Sequence, residues 1–384
     1  MPGQVLGTDP RLKGEVHGKR FGVRWNKTQS PTTLTRLYDS IGKTFIPSVG
    51  TAAGSSGFDE EPIYKDIRRC VMVNGAVAYY EGEPGFTTTP ASGDVMVEIP
   101  RFYFKVEDTT THRDYIISDQ PLEGYEISPR HAPHAGKPAG YDKIYVSAYT
   151  LNDAYRSLSG NASIVSITRA QARAGCKGRG SLYHLWDYAT YATINLLYLV
   201  EVADWDSQTA VGPGYTDSTN NAQINTGGAN FVAGHSGRAN GDANAAKNAI
   251  KYRHMENLWG NLRQWCDGMN FNENTTYLSL NPATYADDTT AGYSELAYQK
   301  ASASGYQKAL GLDPAFPFAQ ICTDSGGEDG TFIPDYYYRS EGWRVLAVGG
   351  LWTYAGNAGL FCFIASSAAA STGTYVGCRL LVLP

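Results

Sequence analysis

The chain is short of charge. Only 18% of its 384 residues are Asp, Glu, Lys or Arg, against about 25% in an average soluble domain, and the net charge is −5 at pH 7. No basic excess exists, which excludes the electrostatic footprint of a nucleic-acid-binding protein or of a basic membrane-surface patch. Apolar runs of transmembrane length are missing too. Ile194 to Ala203 is interrupted by Glu201 and residues 358–370 are diluted by serine, where a span needs about 20 apolar residues. The first twenty residues hold no apolar run, so no secretory signal is expected there. Cysteine is sparse as well: Cys70, Cys176, Cys266, Cys322, Cys362 and Cys378 stand apart with no CxxC spacing. Neither a zinc finger nor a disulfide framework is expected, and buried free thiols are.

What the chain has is aromatic and turn-forming residues. Aromatics reach 12%, with 27 Tyr and 7 Trp, and hydrophobic residues 42%; this supports a packed core and excludes a disordered chain. The 42 glycines and 18 prolines argue for many turns rather than a helical bundle. Phe21, Val23 and Trp25 alternate as in a half-buried strand, as do residues near Cys70 to Val77. Further strands are expected at Val95–Ile99, Phe102–Val106 and 141–150. A short helix capped by Ser166 or Thr168 should end before Gly175, and a longer one should span 184–203 with Leu185, Tyr188, Ala192, Leu196 and Leu199 on one face. Residues 212–246 are rich in Gly, Asn and Ala and read as a surface excursion that packs on itself or serves an interface. Trp259 and Trp265 read as core anchors around a turn, and no helix is expected beyond 275.

Motifs with chemistry are few. There is no HExxH, GxSxG, phosphate-binding GxxxxGK[ST] or strand-to-helix GxGxxG. His131 and His134 lie in RHAPHAG, where Pro133 prevents a helix, so a solvated loop is expected rather than a metal site. The run Asp59, Glu60, Glu61 is expected simply to face water. Nothing nominates a catalytic centre, a metal or a cofactor. Residues 351–378 are different: they mix aromatic, aliphatic and small polar groups without a sustained period, the composition of a binding face.

Four segments carry a resemblance. ENLWGNLRQWCDG, RVLAVGGLW, the terminal YVGCRL and the helical LYHLWDYATYATINLLYLVEVAD resemble, in order and spacing, boxes of the formylglycine-generating enzyme family, which has a C-type-lectin-like fold. The copper-binding cysteines of that family would fall at Tyr354 and Gly359, which cannot supply thiolates, and Cys362 alone makes no pair. The string from Gly349 to Phe361, followed by Gly377 and Arg379, is more similar to the variable region of diversity-generating-retroelement proteins, a group that includes phage tropism determinants at tail-fibre tips. Cys378 in place of an aromatic and Ala347 in place of an arginine are departures from that pattern.

This resemblance implies an α+β fold: a small β-rich N-terminal module over 1–89, then a C-type-lectin-like domain over 90–384 with two helices on small antiparallel sheets and a variable region near 344–384. The last strand, near Cys378 to Val382, should be central rather than dangling. Trp259, Trp265, Gly349, Gly350, Trp352, Ala358, Gly359, Leu360, Phe361, Gly377 and Arg379 would be scaffold. Leu351, Thr353, Tyr354, Asn357, Cys362, Ile364, Ser366, Ser367, Ser371, Gly373 and Tyr375 would point outward as the ligand-binding face. The implied function is non-enzymatic: a phage or prophage adhesion protein on a virion tail fibre, or displayed on a cell surface, that binds a host protein or glycan. A homo-oligomer, most simply a trimer, without nucleic acid or membrane insertion is implied. The alternatives are a copper-dependent oxidase of the formylglycine family and a calcium-dependent carbohydrate-binding lectin, whose EPN, QPD and WND motifs are absent.

Overall fold

Two side chains decide where the main helices begin. Thr168 caps α1 (Arg169–Lys177) reciprocally: its hydroxyl accepts from the Gln171 amide, and the Gln171 side chain accepts from the Thr168 amide. Asp187 caps α2 (Tyr188–Val202) by accepting from the Thr190 amide. The longer helix therefore starts at 188, not 184, because Tyr183–Leu185 is a strand. The shorter helix runs past Gly175, where a Cβ would sit 2.0 Å from the Tyr155 ring; here glycine makes room for a neighbour rather than ending the helix. A one-turn α3 (Ser207–Ala210) follows.

The computed structural model describes residues 18–240 and 247–384, so the parts of the N-terminal reading at 1–17 and of the glycine-rich reading at 241–246 lie outside the described residues. The molecule is mostly β, with few helices and several small sheets. One sheet has five strands and includes Arg20–Asn26 paired antiparallel with His112–Ser118. A six-stranded sheet runs in the order Tyr183–Leu185, Leu380–Val382, Lys143–Ser147, Asp94–Pro100, Arg68–Val73, Ala76–Tyr80. The last strand is thus interior to a sheet, as expected. Both sheets join segments from either side of residue 89, so the strand pairing does not set residues 18–89 apart as a module of their own. An eight-stranded sheet carries Arg263–Asn272, Arg344–Val348, Phe363–Ser367 and Ile333–Arg339 as neighbours.

α2 is buried on every face except at Asn195, not on the single stripe its leucines suggested. It packs against Arg20–Asn26 and His112–Ser118 of the five-stranded sheet and also against Arg263–Asn272, and a helix enclosed in this way has no solvent face. One continuous hydrophobic cluster joins it to all three of these sheets. The described parts of residues 212–246 pack on the body: the Glu256 carboxylate accepts from the amides of Gly227 and Ala229 at 2.8 Å each, and Gly237–Arg238 pairs in parallel with Ser48–Val49. All six cysteines are buried and free.

Two loop readings need correction. His131 is fully buried, not solvated; its Nδ1 lies 2.7 Å from the Ser128 hydroxyl and its Nε2 3.1 Å from the Ile99 carbonyl. The acidic run does not merely face water. Glu61 pairs with Lys43 at 2.6 Å and also with Lys19, while Asp59 meets His235 and Arg253.

Candidate ligand-binding face

The positions expected to be scaffold are buried or turn the chain. Trp259, Trp265 and Trp352 are all at most 4% exposed. Gly349 and Gly350 both have left-handed backbone, with φ of 89° and 76°, and a Cβ would meet the Leu258 carbonyl at 2.5 Å and the Ala358 Cβ at 2.7 Å; no other residue turns the chain there. Gly359 leaves space for the Asp335 carboxyl, which accepts from the Phe361 amide at 2.6 Å, and burial pushes that carboxyl well above its ordinary range. Ala358, Leu360 and Phe361 are buried. Gly377 packs on Leu262. Arg379 is inaccessible to solvent and donates to Gln264 Oε1, the Ser147 carbonyl and the Glu256 carbonyl; it ties the last strand to two other segments.

The eleven residues expected to face outward divide. Leu351, Cys362 and Ile364 do not point out: Leu351 packs with Trp352, Tyr215 and Leu262 in a small core, and the other two are fully buried. The reason is local. Ile364 sits in Phe363–Ser367, a strand flanked on both sides within the eight-stranded sheet. Cys362 follows the turn closed by its own amide on the Gly359 carbonyl, and its carbonyl accepts from Gly349. Thr353 and Tyr375 are exposed, and Tyr354, Asn357, Ser366, Ser367, Ser371 and Gly373 are half-buried at the surface. Gly373 lies under the Tyr375 ring, where a Cβ would stand 2.5 Å from it.

The structure joins to these a set of residues that the sequence did not single out. Tyr336 and Tyr338, two apart on Ile333–Arg339, share the outer face while Tyr337 enters the core. Ring centroids run in a chain: Tyr306 to Tyr336 at 5.2 Å, Tyr336 to Tyr338 at 4.6 Å, Tyr338 to Tyr354 at 5.0 Å. The Arg263 guanidinium then stands 5.2 Å from the Tyr354 centroid and 4.7 Å from that of Tyr375, within cation–π range of both. Asn357 steadies the row by accepting from the Tyr306 hydroxyl at 2.6 Å and donating to that of Tyr338 at 3.3 Å. Burial raises the Tyr354 hydroxyl pKa, so the ring stays neutral beside Arg263 at physiological pH. The signal that could have found this row is the IPDYYYR run, whose alternation puts two of three tyrosines outside.

Beside Arg263 a cavity of about 180 Å³ opens. Arg263, Trp265 and Tyr375 form part of its wall, and Ser366, Ser367, Ser371 and Thr372 line the rest with Val376.

Among the described residues, one cluster has ligand atoms close enough for a metal ion: Asp59, Glu201 and His235. The Arg253 guanidinium already contacts both carboxylates, with Nε 2.9 Å from Glu201 and a terminal nitrogen 3.0 Å from Asp59. Burial alone would raise the Asp59 pKa; His235 and Arg253 more than offset this and hold it low. The cluster is a satisfied ion-pair network whose positive charge is built in.

No protein-family model matches the chain, and no curated protein matches it. Among solved structures it is similar to Major Tropism Determinant U1 Variant, with a TM-score of 0.32 and 10% sequence identity over 82% of this chain and 71% of that chain. A likeness of that size carries neither fold detail nor function across.

Proposed function

We propose that this chain is a non-enzymatic receptor-binding protein of phage or prophage origin, carried on a virion tail fibre or tail tip, with cell-surface display as the alternative. In this reading a C-type-lectin-like scaffold presents the surface around 353–375 to a protein or glycan on the host. The observation that carries it is the row of tyrosines and Arg263 lying over fixed tryptophans and glycines. Aromatic and arginine side chains are the residues that dominate binding hot spots, because they bury large area at low entropy cost. The positions open to retroelement-driven diversification are then Thr353, Tyr354, Asn357, Ser366, Ser367, Ser371, Gly373 and Tyr375. Leu351, Cys362 and Ile364 leave that set because they are core.

The test uses labelled protein retained on a panel of bacterial cells. Tyr354→Ala and Tyr375→Ala are each expected to weaken retention by about 5- to 150-fold with little change in unfolding midpoint. Trp352→Ala should instead destabilise the fold by about 3–5 kcal/mol. If both tyrosine variants are retained like the wild type, the face is misassigned. A reverse-transcriptase gene beside a near-copy of the 3′ coding end, differing mainly at adenines, is the genomic expectation.

A further inference from the structure

Arg263 is a cation without an anion. Among the described residues it forms no ion pair, its side chain donates no hydrogen bond, and its Nε is buried without an acceptor. The Nε of Arg130, Arg339 and Arg344 is unpaired too, but among the described residues each of those has an acceptor on a terminal nitrogen, as Arg130 has Asp187 and the Leu280 carbonyl, and Arg169, Arg253 and Arg379 have Asp287, Glu201 and three acceptors; Arg263 has none on any nitrogen. Arg263 is held by the faces of Tyr354 and Tyr375 instead, which fixes the guanidinium plane while leaving its donors unspent. A buried donor left unmade is costly, so the position makes sense where an acceptor arrives from outside.

The cavity next to it is lined by Ser366, Ser367, Ser371 and Thr372, and among the described residues none of these side chains has a hydrogen-bond partner; Ser366 and Ser367 are consecutive on a strand, so only one of the two turns its hydroxyl to the cavity side. Free hydroxyls and one free guanidinium are two different kinds of contact. Hydroxyls match hydroxyls, and the planar fork matches a carboxylate. The volume of about 180 Å³ corresponds to about six waters, the scale of a single sugar ring rather than a peptide.

We propose that this cavity is a subsite for an acidic sugar of the host surface, a hexuronate or other carboxylated monosaccharide unit, with its carboxylate on Arg263 and its hydroxyls on the serines and Thr372. This rests on the binding-face reading above and narrows its ligand.

The experiment titrates the full chain with glucuronate, glucose, acetate and inorganic phosphate, following tryptophan fluorescence and calorimetric heat, for the wild type, Arg263→Gln and Ser366→Ala/Ser371→Ala. Saturable binding of glucuronate is expected, about tenfold or more tighter than glucose, acetate or phosphate, and weakened by about tenfold or more in both variants. An unchanged unfolding midpoint in Arg263→Gln separates lost recognition from lost folding; if that variant unfolds, Arg263→Lys, which keeps the charge and loses the fork, carries the comparison. Acetate or phosphate binding as tightly as glucuronate overturns the sugar assignment in favour of a plain anion site. Glucose binding as tightly overturns the role of Arg263. If no sugar binds while Tyr354→Ala and Tyr375→Ala still lose retention on cells, the acidic-sugar subsite is overturned and the binding face stands. If glucuronate binds as expected but the tyrosine variants are retained normally, the subsite stands and the receptor-binding reading falls.

Discussion

His131 and Glu256 are two buried titratable groups whose proton affinities burial moves in ways that oppose each other. Burial lowers His131 from 6.5 to about 3 and raises Glu256 from 4.5 to about 7. As pH falls from 6.5 toward 3, the unfolded chain takes up a proton on His131 before the folded one does, so this residue removes stability on the acid side. As pH rises from 4.5 toward 7, the unfolded chain releases the Glu256 proton first, so that residue removes stability toward neutrality. In the window from 4.5 to 6.5 the two slopes offset. The expected outcome for His131→Gln is therefore a stability difference from wild type that varies with pH only between about 3 and 6.5 and is flat above it. Urea unfolding at half-unit pH steps measures it, and a pH-independent difference would place His131 in contact with water.

At the scale of elements, the glycine inside α1 shows how packing overrides propensity. Alanine is favoured over glycine in a helix interior by about 1 kcal/mol, yet at position 175 a Cβ would stand 2.0 Å from the Tyr155 ring. Gly175→Ala is expected to lower stability despite the propensity gain. In a Tyr155→Ala background the same change should raise stability by about 1 kcal/mol, because the clash is gone and the helix preference remains. Thermal unfolding of the four proteins of this cycle reads the sign directly. The strand Ile333–Arg339 makes the same point for the binding face. Its alternation is plain in the sequence, but which side is outer depends on which face of the sheet packs into the core, and that face takes Tyr337.

For the whole molecule, the last strand lies between Tyr183–Leu185 and Lys143–Ser147, so a sheet begun near residue 68 is completed only by the end of the chain. The receptor-binding reading proposed above carries with it a homo-oligomer, most simply a trimer; light scattering at micromolar concentration should return three times the mass of one chain, and the mass of a single chain would refute it. The sequence by itself determined the start of the shorter helix, since Thr168 caps through Gln171, and the glycine turn at 349–350, since local sterics admit nothing else; the longer helix, expected from 184, starts at 188 because Tyr183–Leu185 is drawn into a sheet. The sequence also marked Trp259, Trp265 and Trp352 as core, because large apolar rings seek burial wherever they fall. Tertiary structure alone decided that Leu351, Cys362 and Ile364 turn inward while Tyr354 and Tyr375 stay out, and that Arg263 meets both. Those contacts join positions about a hundred residues apart, and no local periodicity encodes a distance of that kind: it is set by which strands pair, and pairing is settled by the core as a whole.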